Sequence, residues 1–268
     1  MIELTALTKN YDKVTALKGL TLTIPSGQIF GFLGHNGAGK STTIKCLTSI
    51  INPSSGSIKF DGVELKDNRQ AIKERIGYVP DTPDLFLQLS ANEYWELIAS
   101  AFNLSESQKN EQLSHLTKLF DIADKGDETI ESFSHGMRQK VIVIGALLSN
   151  PDIWILDEPL QGLDPQAAFD LKELMRTHAA QGKTVIFSTH ALEVAQQLCD
   201  QVAILKAGEL IYTGTVEALL EQAGDDSLEM VYLRMAGRQS EANSGSSEPP
   251  MVSDDPNEDT TPERGPQE

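Results

Sequence analysis

Positive charge, aromatic residues and cysteine are all scarce in this chain of 268 residues. Lysine and arginine number 22 against 39 aspartates and glutamates, a formal net charge of −17. Nucleic-acid binders carry the opposite sign on their binding face, and anionic lipid repels an acidic surface. Charge sign therefore excludes nucleic acid as an expected partner and routes any membrane attachment through another protein. No apolar run approaches the ~18 residues of a spanning helix, and strand-like Ile2 to Leu7 opens the chain without a charged-then-apolar leader. Cys46 and Cys199 lie far apart and fit neither a disulfide framework nor a metal pattern, so a reducing cytoplasm is the expected setting. None of the five histidines has metal-ligand spacing, and His35, His115 and His178 read as structural side chains.

Forty per cent of the residues are hydrophobic, enough for a full core. Within that core pattern stands GHNGAGKS at 34–41, which fits Gly-x4-Gly-Lys-[Ser/Thr], the spacing of a phosphate-cradling loop. The apolar run Ile29 to Leu33 before it reads as a buried strand, and Thr42 to Ser49 after it reads as a helix. Glycines at 34, 37 and 39 let the backbone curl until successive N–H groups face an anion. The helix N-terminus adds partial positive charge. His35, Asn36, Ala38 and Thr42 complete the binding segment; Lys40 is expected on the β/γ-phosphates and the Ser41 hydroxyl on Mg²⁺. The ligand expected is a nucleoside triphosphate.

A second apolar run, Ile153 to Leu156, ends in Asp157 and Glu158. Such a run is the pattern of a parallel strand buried on both faces, and its end lies at the carboxyl edge of a sheet, where open α/β sheets bind ligands. There Asp157 is expected to hold the Mg²⁺ hydration shell and Glu158 to take a proton from the attacking water. A third run, Thr184 to Phe187, ends in Ser188–Thr189–His190. His190 then falls at the same edge, within expected reach of a γ-phosphate.

Residues 2 to about 80 alternate strand and turn signals, and helical periodicity takes over at Ala91 to Phe102, Glu106 to Phe120 and Ser134 to Leu148. From 151 to about 212 strands and helices alternate again, with Pro165 suited to a first helical turn. The predicted division is one α/β domain over 1–224, with a helical subdomain at about 84–150, and a short extension over 225–235. From 236 to 268 the chain holds eight acids, two arginines and no aromatic residue. That segment reads as a disordered acidic tail, because it cannot bury enough apolar surface to offset its ordering entropy.

In order and spacing, Tyr11, the loop 34–41, FSHGMRQ at 133–139, ILDEP at 155–159, GLDP at 162–165 and STH at 188–190 resemble the ATP-binding subunit of ABC transporters. GYVPDTPDLF at 77–86 and the variant signature Ser-His-Gly-Met add a likeness to the Ecs-type subunits of bacterial exporters. The resemblance implies a P-loop NTPase of ABC ATPase type: a mixed sheet core, with a helical subdomain inserted between the phosphate loop and the Asp–Glu strand. It also implies an ATPase at the cytoplasmic face of the membrane, bound to an integral membrane subunit. Two cassettes would close on ATP and Mg²⁺, as a homodimer or with a paralogue.

Residue by residue, the resemblance implies that Tyr11 stacks on adenine and that Ser134 and Gly136 contact the γ-phosphate bound by the opposite protomer. Asp164 would cross between the two sites, and Thr82 to Tyr94 would line the groove for a helix of the membrane subunit. Two positions depart from the family pattern. Asp81 stands where Gln is usual, as a metal and catalytic residue that accepts hydrogen bonds but cannot donate them. His135 and Met137 replace the commoner Gly and Gln of the signature. The alternative functions are a soluble ABC ATPase acting on ribosomes or nucleic acid, and a slowly cycling regulator.

Overall fold

The computed structural model describes residues 1–223, 227–235 and 237, so the tail read from 236 onward lies outside the described residues apart from Gly237. In chain order the first part holds β1 (Ile2–Tyr11), β2 (Val14–Ile24), β3 (Ile29–Leu33), α1 (Lys40–Leu47), β4 (Ser55–Phe60), β5 (Val63–Glu64), α2 (Arg69–Lys73) and β6 (Ile76–Val79). Three helices follow: α3 (Ala91–Ala101), α4 (Glu106–Leu119) and α5 (His135–Leu147). The chain then runs through β7 (Ile153–Leu156), α6 (Pro165–Ala180), β8 (Thr184–Thr189), α7 (Leu192–Leu198), β9 (Gln201–Lys206), β10 (Glu209–Thr215), α8 (Val216–Ala223) and α9 (Leu228–Met235).

The strands form a mixed six-stranded sheet in the order β10-β9-β3-β8-β7-β6 and a four-stranded sheet in the order β2-β1-β4-β5. In the larger sheet β9, β3, β8, β7 and β6 are parallel, with β10 antiparallel at the edge. Every residue of β3, β7 and β8 is buried, as expected when both faces of a parallel sheet are covered. Alternate side chains then enter two different cores. Phe30, Phe32, Ile155, Ile186 and Leu205 pack with Leu4, Leu22 and Phe60 of the smaller sheet and Ile44 and Leu47 of α1. On the other face Leu33, Trp154, Leu156, Val185 and Phe187 pack with Trp95, Ile142, Leu171 and Met175 of the helices. Burying one such side chain stabilises the fold by about 1.5–3 kcal/mol.

The sequence places the helix starts well. Ser90 and Ser105 each form a reciprocal capping box, with Glu93 and Gln108 respectively. Ser134 caps α5, and Asp164 caps α6 ahead of Pro165. The α3 helix locks onto α5 through the Trp95 indole, which donates to the Val141 carbonyl at 3.0 Å.

Other elements were less legible. The β1–β2 hairpin runs past the predicted Ile2–Leu7 and Leu20–Ile24 to a turn at Asp12–Lys13. Its polar outer half shows no buried alternation, and register shifts at Leu4/Leu7 and Leu7/Lys9, near Ala6 at φ 48° and Gly19 at φ 71°, obscure the strand period. The short β5 and α2 carry too few residues for a periodic signal. Within the stretch read as an extension, α9 buries Leu228, Val231 and Tyr232 in the helical-face core.

His178 of α6 is buried with its ring edge-on to Trp154, centroids 5.6 Å apart. Burial, reinforced by the Lys183 charge, pushes its pKa down to about 4, against about 6.5 in an unfolded chain. A depressed histidine pKa means that the unfolded chain binds the extra proton first. The neutral ring thus contributes stability that is complete above about pH 6.5 and is lost as pH falls towards about 4. His178→Gln should lessen the fall in urea-unfolding free energy across that window, by about 2–3 kcal/mol.

Candidate active site

Parallel pairing brings four strand ends to one edge in a fixed register. Leu33 pairs with Thr189, Leu156 with Phe187, and Val79 with Leu156. Gly34 is thereby level with His190, Asp157 with Ser188, and Asp81 follows two residues after Val79 on the neighbouring strand. Beside this edge opens a cavity of about 820 Å³. Its lining includes Tyr11, His35, Asn36, Gly37, Gly39, Lys40, Ser41, Thr42, Asp81, Glu158 and His190.

The loop turns through Gly34, Gly37 and Gly39, with Gly39 at φ 110°. A Cβ on Gly39 would also stand 2.8 Å from Leu17 and 3.0 Å from the Ala16 carbonyl, so only glycine fits. The Ala38 N–H donates to the His35 carbonyl at 3.0 Å and closes the turn. Gly39 supplies no side-chain cap to α1, leaving first-turn N–H groups for an anion. Lys40 is 5 % exposed; its ammonium donates to the Gly34 carbonyl at 2.6 Å and to the His35 carbonyl at 3.4 Å.

Glu158 gathers the charges of the site. Its carboxylate lies 3.2 Å from the Lys40 ammonium and 3.0 Å from His190 Nδ1. The backbone holds Glu158 at φ 47°, a left-handed conformation that costs a side-chain-bearing residue about 1–3 kcal/mol. Its N–H donates to Ser188 Oγ at 2.9 Å, which anchors that turn.

Asp157 is fully buried beneath this surface. Its Oδ1 accepts from Ser41 Oγ at 3.0 Å and from Ser188 Oγ at 2.5 Å, while Oδ2 is buried with no hydrogen-bond partner. Burial raises the Asp157 pKa, the two serine hydroxyls oppose that rise, and the Asp81 charge adds to it. An orphaned carboxylate oxygen beside a serine hydroxyl and a second acid fits a hard divalent cation. Among the described residues no three His, Cys, Asp or Glu side chains form a metal cage. A Mg²⁺ ion here would complete its shell with water and phosphate oxygens, as that ion prefers.

Not every sequence-predicted residue converges here. Gly34 and Ala38 belong to the loop without lining the cavity, and Ser134, Gly136 and Asp164 are not part of the lining. Asp164 accepts from the Ala167 N–H at 2.8 Å and pairs with the Lys140 ammonium at 3.1 Å. Those two contacts, the backbone one first, hold its pKa below the usual carboxylate range. Gly136 lies so close to the Gly162 carbonyl that a Cβ would approach to 2.7 Å.

Sequence reasoning missed three contributors. Ser188 ties Asp157 to the Glu158 turn, and its position in STH was the available signal. Val14, Ala16 and Lys18 of β2 form one wall, visible only once the hairpin is extended. Tyr232 of α9 reaches the loop from 197 residues away.

Comparison with known proteins identifies the family. Residues 17–161, more than half of the chain, match the family model for "ABC transporter". An uncharacterised ABC transporter ATP-binding protein of Nostoc is 39 % identical over 211 residues, which span 78 % of this chain and 62 % of the relative. The chain therefore covers less than two thirds of that relative's length. The ABC-type transporter ATP-binding protein EcsA of Bacillus subtilis is 37 % identical over 231 residues, 85 % of this chain and 94 % of EcsA. A solved ATP-binding subunit of an ABC transporter superposes with a TM-score of 0.83 at 34 % identity, covering 88 % of this chain and 99 % of that one. Fold, site and sequence agree that the chain belongs to the ABC transporter family, as one of its ATP-binding subunits.

Proposed function

We propose that this chain binds and hydrolyses ATP to power an ABC transporter of exporter type, through closure of two cassettes around nucleotide. The observation that carries this reading is the meeting of a glycine-rich loop, a buried aspartate and a Glu–His pair at one sheet edge. In this reading Tyr11, 44 % exposed at the cavity wall, stacks on adenine, and the loop N–H groups with Lys40 and Thr42 hold the phosphates. Mg²⁺ held by Ser41 and Asp157, with Asp81 through water, would neutralise charge on the β- and γ-phosphates.

Lys40 and Glu158 are paired in the described state. Triphosphate competes for the Lys40 ammonium, which frees the Glu158 carboxylate to accept a proton from water. The water oxygen bonds to the γ-phosphorus as the bond to the ADP oxygen breaks, giving ADP and inorganic phosphate. His190, hydrogen-bonded to Glu158, orients that carboxylate and reaches the γ-phosphate.

A second cassette is part of the proposal because Ser134 and Gly136 lie outside the cavity that the loop lines. In the paired arrangement they reach the phosphate held by the partner, and Asp164 exchanges its Lys140 contact for one across the interface. The membrane partner is an integral subunit docked on residues 82–94, where Leu85 and Phe86 are exposed. Attachment at the cytoplasmic face would run through that subunit, since no helix among the described residues is long and apolar enough to span.

Three experiments test this reading. Glu158→Gln should lower kcat for ATP hydrolysis by about 10²-fold or more while ATP affinity is retained; turnover equal to wild type would sink the catalytic assignment. Lys40→Ala should weaken ATP binding about 10–100-fold, as loss of a charge-assisted contact of about 1.5–3 kcal/mol requires. Affinity purification from detergent-solubilised membranes should recover a multi-spanning protein. Replacing both Leu85 and Phe86 by Asp should reduce that recovery at least about tenfold, as losing an apolar anchor predicts, without altering ATP affinity. Recovery with ribosomes instead would move the biology to a soluble ATPase.

A further inference from the structure

Beyond the strands and loop, one distant helix touches the phosphate segment. Tyr232 of α9 is 4 % exposed, and its Oη accepts a hydrogen bond from the His35 N–H at 3.2 Å. The two rings also meet edge to face, centroids 5.1 Å apart and planes inclined at 75°. Leu228 and Val231 hold α9 in the helical-face core, so the phenol is presented by a packed helix.

His35 is the peptide on which the loop turns. Its carbonyl accepts the Ala38 N–H at 3.0 Å and the Lys40 ammonium at 3.4 Å. The same residue thus links Tyr232 on one side to the phosphate-binding lysine on the other. We infer that α9 is an accessory part of the nucleotide site, in which Tyr232 is a positioning residue that fixes the His35 peptide and so preorganises the loop for phosphate. This inference rests on the proposed nucleotide-binding function and adds to it a dependence on the C-terminal helix.

The physical argument concerns the N–H. Without the phenol oxygen, the part-buried His35 N–H loses its protein partner, and losing one such hydrogen bond costs about 0.5–1.5 kcal/mol. The loop offsets that loss by rotating the 34–35 peptide, which displaces the Gly34 carbonyl that seats Lys40. Ligand binding must then restore the original geometry, so affinity falls. Ring packing survives in phenylalanine, so the fold keeps its core while the loop loses its tether.

The test uses the full purified chain and titrates Mg-ATP by calorimetry, with thermal unfolding measured separately without nucleotide. Tyr232→Phe should raise the Kd for ATP about three- to tenfold, equivalent to about 0.7–1.4 kcal/mol, with a nucleotide-free Tm within about 2 °C of wild type, less than the shift expected for 1 kcal/mol. Adding His35→Ala, which removes the ring contact and keeps the N–H, should leave the effect of Tyr232→Phe intact. An unchanged Kd in Tyr232→Phe overturns the inference, whatever happens to Tm. If wild type itself binds no ATP, the proposed function fails and takes this inference with it.

Discussion

The parallel pairing of β3, β8, β7 and β6 is the constraint from which the site follows. Strands buried on both faces cannot carry polar side chains along their length without losing hydration. Charge is therefore confined to the residues that follow each strand, and parallel direction places all those residues at the same edge. Register does the rest. With Leu156 beside Phe187, Asp157 meets Ser188, and with Leu33 beside Thr189, the loop begins level with His190. A slip of two residues on any strand would separate these groups by more than a hydrogen bond allows.

The arrangement also explains why a buried acid is tolerated. Asp157 has two serine hydroxyls on one oxygen and nothing on the other. An unpaired buried carboxylate is costly, and the raised pKa is the signature of that cost. A divalent cation brought with a nucleotide would relieve that cost. The left-handed Glu158 belongs to the same pattern, since strain at a turn fixed by Ser188 keeps a carboxylate between a lysine and a histidine.

Much of this was legible in the chain itself. The loop 34–41, the acids after Leu156 and the histidine after Thr189 each follow a short apolar run, and apolar runs are read without a structure because burial dictates them. The fold class followed, since runs alternating with helical periods imply a parallel sheet, and the match to the ABC transporter family agrees. The hairpin's outer half was not legible, because bulges break the two-residue period. Without it the wall formed by Val14, Ala16 and Lys18 could not be placed. Ser188 was visible within STH, but its two bonds depend on strand register.

What the sequence alone determined is the set of groups and their local geometry: glycines that must curl, a helix start that binds anions, carboxylates at strand ends. These are properties of neighbouring residues, and local propensity encodes them. Tertiary structure alone decided which distant groups meet. Glu158 lies between Lys40 and His190, Asp164 pairs with Lys140, and Tyr232 supports the loop at His35. Such contacts join residues far apart in the chain. They depend on sheet register and on where helices pack, and neither is written in the spacing of the residues concerned.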